Sequence, residues 1–177
     1  MPWLRAATDN PSGFHPHGPV LRVTPYSKDA SAVAIYPGDV VILETDGGIG
    51  ISVTNSTNIV GVAAEYSAAS TAKTDFLVYD HPEQLFWAQD DGDTTQMAET
   101  EVGNNTPIVT TTGSTTTLQS LHEIDSSGAG TTASLPVKIH GLHPIEARSF
   151  ATTTGQQRKW VVSLNNHLHS AYQQVGV

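Results

Sequence analysis

The stretch FLVYDHPEQLFWAQ, Phe76–Gln89, is the most informative segment for the fold of this chain. It contains two short apolar runs on either side of a turn centred on Pro82. Proline fixes its own φ and pushes the preceding residue, His81, toward extended geometry. The pattern of run, turn and run therefore predicts a β-hairpin.

Both faces of this hairpin are apolar, whereas a hairpin that lies on a single core alternates apolar with polar side chains. We therefore expect both faces to contact protein. Two interpretations remain open: the hairpin lies in the middle of a sandwich or barrel packed by its own chain, or one face contacts another subunit. The candidate interface side chains in the hairpin are Phe76, Tyr79, Leu85, Phe86 and Trp87.

Length and composition limit the possible classes of protein. The 177 residues fit one domain, and the absence of cysteine excludes disulfide frameworks, thiolate nucleophiles and cysteine-based metal sites. A net charge of −9 with only eight Lys and Arg argues against direct nucleic-acid binding. No stretch approaches the ~20 apolar residues of a membrane span, and the first ten residues lack a signal-peptide core, so we expect a soluble cytosolic product without a membrane partner.

Strand signals begin at Val20 and recur about every ten residues. Thr and Val favour strands, and turns are indicated at Pro37-Gly38-Asp39 and at Asp46-Gly47-Gly48. This spacing is typical of all-β proteins. It predicts one β-rich domain over residues 20–177, folded as a β-sandwich or a small β-barrel.

Two departures from the strand pattern are predicted inside the domain. Thr94–Val102 is the single credible short helix, with Asp93 or Thr94 as N-cap and Gly103 as its end. The Thr-rich stretch 106–118 is predicted to be an exposed loop or an edge hairpin.

Residues 1–19 are predicted to form an extended N-terminal arm. Their proline and glycine content opposes both helix and central strand. The segment nevertheless carries Trp3, Leu4 and Phe14, which are candidate anchors for another surface. The alternative is a frayed tail with exposed aromatic side chains.

The sequence offers no signature of catalysis or cofactor binding. His15-Pro16-His17 and His167-Leu168-His169 each place two imidazoles on one face of an extended strand, but a metal site needs three or four ligands. Asp90-Asp91-Gly92-Asp93 lacks the alternating ligands of a calcium loop. No phosphate-binding glycine loop and no G-x-S-x-G motif occurs. We therefore expect no enzyme, no catalytic residues, no metal and no cofactor.

Three segments together resemble the head decoration (cement) proteins of tailed bacteriophages. They are Tyr36–Val41 with Asp46–Ile49, then Ile59–Ala63, then Phe76–Gln89 with its V-Y-D-x-P-x-x-x-F-x-x-Q pattern. The similarity spans about Val20–Asp93. The resemblance implies a small, β-tulip-like protein, usually a homotrimer, that binds the major capsid protein on the outside of the virion and braces the shell. Synthesis in the bacterial cytoplasm would precede assembly. The N-terminal arm and the Thr-rich insert depart from the family pattern, which leaves the mode of capsid contact open.

Two further classes of function are compatible with the residues. A carbohydrate-binding or host-attachment β-module of a phage particle would use tryptophans as stacking platforms, with Trp3, Trp87 and Trp160 as candidates. A small β-barrel hydrolase is the third possibility, and nothing in the sequence positively favours it.

Overall fold

The structure is a computed structural model that describes residues 9–30, 33–93, 97–145 and 157–170. The described chain is almost entirely β, which confirms the predicted all-β class. It forms a closed five-stranded barrel, a five-stranded sheet and one two-stranded pair.

The barrel is built from one contiguous part of the chain. Its strands follow the order β2-β4-β3-β5-β6, and they are β2 Val23–Lys28, β3 Val40–Leu43, β4 Ile49–Ile51, β5 Ile59–Ala63 and β6 Thr74–Tyr79. Antiparallel pairing of β2 with β6 closes it, from Val23↔Tyr79 to Lys28↔Thr74. The predicted turn at Asp46-Gly47-Gly48 joins β3 to β4, with Gly47 at φ 80° and Asp46 Oδ1 accepting from the Gly48 N–H.

The five-stranded sheet is assembled from segments that are far apart in sequence. Its order is β1-β7-β12-β11-β8, all antiparallel, and the strands are β1 His15–Pro16, β7 Leu85–Gln89, β8 Asn105–Thr106, β11 Val137–Leu142 and β12 Lys159–Leu164. A bulge interrupts β11 between Ile139 and Gly141. The remaining pair consists of β9 Ile108–Val109 and β10 Glu123–Ile124.

The predicted hairpin at Phe76–Gln89 is wrong in its pairing, although both strands and the turn exist. The Gln84 N–H donates to the His81 carbonyl at 3.0 Å, so the chain does turn around Pro82. However, β6 belongs to the barrel and β7 to the sheet, and the turn carries the chain from one to the other. β6 instead has six residue pairs with β2, and β7 has five with β12.

Two hydrophobic cores hold these parts together. The smaller fills the barrel and consists of Ile35, Val41, Ile49, Val60, Ala63, Phe76 and Val78. The larger lies between barrel and sheet. Barrel side chains such as Val40 and Val62 pack there against sheet side chains such as Phe86, Trp160 and Val162. The barrel and the sheet therefore share one core.

The N-terminal segment is part of the domain from Phe14 onward. Phe14 is 1% exposed in the larger core, its N–H donates to the Gly38 carbonyl at 3.0 Å, and His15–Pro16 pairs with β7. Gly13 has φ 78°, and a Cβ there would lie 2.5 Å from the Ser120 Cβ, so only glycine fits this crossing. The predicted boundary at residue 19 therefore lies too late in the chain, because Phe14 and His15–Pro16 already belong to the β-domain.

The predicted helix and loop are both shorter than expected. Within Thr94–Val102 the described residues contain one 3-10 turn, Glu99–Glu101, because Met97 is drawn into the core and Ala98 and Val102 are extended. Residues 94–96 lie outside the described part. The start of the Thr-rich stretch forms β8 and β9, with Ile108 fully buried, which leaves 110–118 as the loop.

Candidate functional site

The structure separates the eight predicted interface side chains into three groups. Three are buried in the cores at 1–2% exposure: Phe14, Phe76 and Phe86. Three are half-buried: Tyr79, Leu85 and Trp87. Trp3 and Leu4 lie outside the described residues. Phe14, Phe76 and Phe86 therefore cannot contact a partner in this fold, because their side chains are already packed within their own chain.

The half-buried members of β7 belong to the side of the five-stranded sheet that faces away from the barrel. Successive side chains of a strand point to opposite faces. Phe86 and Ala88 enter the core, so Leu85 and Trp87 point outward. We call this surface the outer sheet face and define it by His15, Leu85, Trp87, Lys138, His140 and Lys159.

Trp87 is the centre of the outer sheet face and is held by its own neighbours. The His15 imidazole stacks on it with ring centroids 4.2 Å apart and an interplanar angle of 16°. The Lys159 Nζ lies 4.4 Å from the indole centroid. Because His15 comes from β1 and Lys159 from β12, on opposite sides of β7, the indole is flanked from both directions.

Further histidines extend the outer sheet face. His143 contacts the Trp87 ring edge-on at 5.9 Å, and His17 contacts His143 at 5.4 Å. At the β11 bulge, His140 Nε2 lies 2.8 Å from the Ser163 hydroxyl.

Burial lowers the pKa of two of these histidines. For His15 the nearby charge of Lys159 adds to the effect of burial, while a hydrogen bond involving Ser12 opposes it. For His140 the charge of Lys138 adds to burial. Both imidazoles are therefore favoured in their neutral form, in which the N–H group still donates a hydrogen bond.

Two buried carboxylates lie at the end of β7. Asp90 is fully buried and accepts hydrogen bonds from the Arg158 N–H at 2.7 Å and from Trp160 Nε1 at 2.9 Å; burial nevertheless raises its pKa to about 6. The Gln89 amide donates to Glu123 at 3.1 Å and to Asp9 at 3.1 Å. Burial, and to a smaller extent the negative charge of Asp9, raise the pKa of Glu123 to about 7.

A Ser, a His and an Asp do meet in the fold, but not as a catalytic triad. His122 Nδ1 accepts from the Val40 N–H, which leaves its Nε2 protonated and 3.6 Å from Asp39. The Ser120 hydroxyl accepts from the backbone N–H of His122 and not from the imidazole. Burial raises the pKa of Asp39 to about 6 and lowers that of His122 to about 4. All three side chains are at most 2% exposed, so this cluster braces the start of β3 against the segment before β10.

Neither His-x-His pair is part of a group of three metal ligands among the described residues. His15 Nε2 bonds to the Ser12 hydroxyl, and His169 Nε2 lies 3.1 Å from the Tyr26 hydroxyl. Tyr26 in turn donates to Asp80, which also accepts from Arg22 at 2.7 Å. This network fastens residues 167–169 to the barrel.

Three carboxylates at one end of the barrel could hold a cation. Asp29, Glu44 and Asp46 place oxygens within 4.8 Å of one another. Lys73 Nζ lies 3.4 Å from Asp46 and offsets part of the charge. Hard cations such as Ca²⁺ take six to eight oxygen ligands, so three carboxylates make at most a partial site. The sequence predicts the turn at Asp46-Gly47-Gly48 but not this cluster, because only the fold brings the three carboxylates together.

A cavity of about 180 Å³ opens beside these carboxylates. Its walls are mainly aliphatic, from Ile35, Ile49 and Ile51, with Lys28 and Glu44 as the charged members. Lys28 Nζ donates to the carbonyls of Val33 and Ala68, which satisfies this buried ammonium within the chain.

The tryptophans are poor platforms for sugar stacking. Trp160 is completely buried, and Trp87 is flanked by His15 and Lys159. Trp3 lies outside the described residues. Stacking needs an open aromatic face, which neither described tryptophan offers.

The sequence alone does not bring Lys138, His140 and Lys159 together on the outer sheet face. A signal was present in the runs Val137–Leu142 and Lys159–Leu164, which contain Lys and His but no Asp or Glu. It becomes meaningful only once the two runs are known to pair.

Comparison of the chain with protein-family models, with curated proteins and with solved structures gave no match. In the part of the chain that the structure describes, no helix is long and apolar enough to span a membrane.

Proposed function

We propose that this protein is a structural virion component that decorates and stabilises an icosahedral phage capsid by binding the lattice of the major capsid protein. It acts on the exterior of the shell, as a binding protein and not as an enzyme. One observation carries the proposal: the segment that resembles head decoration proteins, Val20–Asp93, contains all five strands of the closed barrel. The closed barrel runs from Val23 to Tyr79, and β7 follows it.

We also propose that the protein forms a homotrimer. Apolar side chains on the outside of the barrel favour self-association. Val23 and Leu77 are 40% and 38% exposed on the paired strands β2 and β6, and Val20 and Leu21 beside them are each 48% exposed. Grouped apolar side chains at a protein surface are typical of interaction sites.

Decoration of capsids is the direct test of the function. Expanded heads would be purified from a phage strain that lacks this gene and mixed with the purified protein. We expect saturable co-sedimentation and greater resistance of the heads to heat. Heads that bind no protein at any concentration would contradict the proposal, and so would a gene far from any capsid gene.

Light scattering tests the oligomer. We expect a mass near three times 18.8 kDa that is independent of concentration over a wide range. A Leu77→Ser variant should shift the mass toward that of one chain, because it removes an exposed apolar side chain without touching the core. A wild-type mass of 18.8 kDa throughout would refute the trimer.

The proposed arm needs a narrower test than removal of the whole segment. Deleting residues 1–16 would take Phe14 out of the core and His15 out of the sheet. Deleting residues 1–8 removes Trp3 and Leu4 and retains every residue that the structure describes. If these two residues anchor the protein to the shell, the truncated protein should fold normally and bind heads more weakly.

A further inference from the structure

The last described segment of the chain runs from the sheet back to the barrel. Residues 165–170 follow β12, and we call them the C-terminal clasp. The Ile59 N–H, at the start of β5, donates to the Asn166 carbonyl at 3.2 Å, and the Leu168 N–H donates to the Ile59 carbonyl at 2.6 Å. Two backbone hydrogen bonds therefore pair the clasp with a barrel strand.

Side-chain amides hold the first residues of the clasp. The Asn165 amide donates to the carbonyls of Ala133 and Leu135 at 2.8 and 3.0 Å. The Asn166 amide donates to the Ser56 carbonyl at 3.3 Å. The clasp is therefore a shared contact of β12, the barrel and the segment before β11.

The middle of the clasp is a buried histidine. His167 is 5% exposed, and its Nδ1 accepts a hydrogen bond from the His169 N–H at 3.1 Å. The proton of the neutral ring is therefore on Nε2, which has no hydrogen-bond partner among the described residues. A protonated imidazole has two N–H donors and no acceptor. Protonation of His167 would therefore break its bond to the His169 N–H and place a charge in a buried position.

The surroundings of His167 favour the neutral imidazole. The charged and titratable side chains that face it are His169 in the clasp and Arg22, Asp80 and His81 on the barrel side. Asp80 already accepts from Arg22 Nε at 2.7 Å and from the Tyr26 hydroxyl at 2.9 Å. The only carboxylate in this set is therefore engaged by other donors.

The remaining segments that contact the clasp contribute no charge. They are residues 56–59 and 131–135, and neither contains a charged or titratable side chain. An imidazolium at His167 would therefore have to be accommodated near the Arg22 guanidinium without a carboxylate of its own.

We propose that His167 is a pH sensor that releases the C-terminal clasp from the barrel when the solution becomes acidic. At neutral pH the imidazole accepts the His169 N–H, and the clasp stays paired with Ile59. When His167 is protonated, that acceptor is lost, and the charged ring is better solvated in water than in its buried position. The device belongs to the fold and does not rest on the proposed function.

The pKa of His167 gives the direction of the effect. Burial lowers this pKa to about 4 from 6.5; the charge of His169 acts in the same direction and that of Asp80 opposes it. The open clasp therefore binds more protons than the closed clasp between these pH values. The contribution of neutral His167 to the stability of the closed clasp is fully present above pH 6.5 and is lost as the pH falls through 4. From pH 7 to pH 5, the open fraction should rise on the order of tenfold.

Amide hydrogen exchange of the full chain, followed by NMR at pH 7 and pH 5, tests the release directly. Protection factors, which correct for the intrinsic pH dependence of exchange, should fall on the order of tenfold at the Leu168 and Ile59 amides. The Ile139 amide donates to the Asn104 carbonyl at 2.9 Å in the sheet and serves as the internal control. Its protection should not fall, because the sheet stays paired when only the clasp opens.

A conservative variant separates titration from the shape of the clasp. In His167→Asn the side-chain oxygen can still accept the N–H two residues further on, as in an Asx turn, but the group does not titrate. Protection of the Leu168 amide should then change by less than about twofold between pH 7 and pH 5. His140→Asn removes an imidazole from the outer sheet face and is the matched control, which should keep the fall seen in the wild type.

A titration of the wild-type imidazoles by NMR tests the same device without any substitution. His167 should carry its proton on Nε2 at pH 7 and should become doubly protonated only well below pH 6.5. Ordinary titration of His167 near pH 6.5 would overturn the inference. So would unchanged protection of the Leu168 amide in the wild type, an equal fall in His167→Asn, or an equal fall at the Ile139 amide, which would indicate unfolding of the whole domain.

Discussion

The barrel and the five-stranded sheet show two different ways of building β-structure from one chain. All barrel strands fall within Val23–Tyr79, and the β3–β4 pair is joined by a tight turn. The sheet draws its strands from both ends and the middle of the chain, between His15 and Leu164. Local turn chemistry can specify much of the barrel, whereas the sheet depends on long-range pairing.

The two parts are nevertheless coupled by the larger core. Val40, Ile59 and Val62 of the barrel pack with the inward side chains of β7, β11 and β12. Neither part can unfold without exposing apolar surface of the other. We therefore expect the barrel and the sheet to unfold together.

The largest expected effect comes from truncating a large buried side chain in either core. Phe86→Ala in the sheet and Phe76→Ala in the barrel each remove a side chain that is at most 2% exposed. Each should lower the free energy of unfolding by about 3–5 kcal/mol. Denaturant unfolding followed by tryptophan fluorescence and by circular dichroism should give coincident single transitions. A separate transition for either variant would show that the two parts are independent domains.

A smaller effect is expected where the N-terminal segment crosses the domain. Gly13→Ala should destabilise the protein by about 2–3 kcal/mol, because the new Cβ would clash with Ser120 in addition to the strain of φ 78°. Gly18 has the same φ of 78° but open space around its Cα. Gly18→Ala is therefore the matched control and should cost only about 1 kcal/mol. Equal losses for the two variants would show that the crossing near Ser120 is not tightly packed.

Glu123, in the strand pair beside the sheet, should make stability depend on pH. Its pKa is raised to about 7 in the folded protein from 4.5, so the unfolded chain binds fewer protons between these values. The stabilising contribution of Glu123 to the free energy of unfolding is fully present below pH 4.5 and is lost as the pH rises through 7. The free energy of unfolding of Glu123→Gln should exceed that of the wild type by on the order of 1–2 kcal/mol at pH 8 and should differ little from it at pH 4. Exposed Glu99→Gln is the control, and a pH-independent difference for Glu123→Gln would contradict this assignment.

The smallest effect is expected at the surface of the barrel. Lys73 and Asp46 are 49% and 46% exposed and 3.4 Å apart. Exposed ion pairs contribute about 0–1 kcal/mol, so Lys73→Gln should shift the free energy of unfolding by less than about 0.5 kcal/mol. Chemical unfolding at low and at high salt would check this. A larger loss would show that the three carboxylates at this end repel one another strongly without Lys73.

Turns and strand positions could be predicted from the sequence where the signal is local. Asp46-Gly47-Gly48 predicts the hairpin of β3 and β4 from local interactions. The aspartate side chain accepts a hydrogen bond from a nearby backbone N–H, and glycine readily adopts positive φ. The turn at Pro82 was equally local and was located correctly. The partners of the strands on either side of it were not, because an extended strand with two apolar faces can pair with any other of suitable length.

The candidate site was less accessible to sequence reasoning. Trp87 was identified from its apolar surroundings, but Lys138, His140 and Lys159 lie 51 or more residues further along the chain. The sequence predicts an anchor at Phe14 because this aromatic side chain lies in a segment rich in proline and glycine. The glycines at 13 and 38 instead let the segment cross closely over the core. Such a crossing leaves no periodic signal in the sequence.

By itself, the sequence determined the all-β class, the positions of most strands in Val23–Gln89, the lack of cysteine chemistry and the strongly acidic charge. These properties follow from residue type and from interactions between near neighbours in the chain. The tertiary structure alone decided that β6 and β7 belong to different sheets, that Phe14 lies in the core, and that His15 and Lys159 flank Trp87. Each of these depends on which distant strands pair, and that choice is made by the burial of a shared core and not by any local preference.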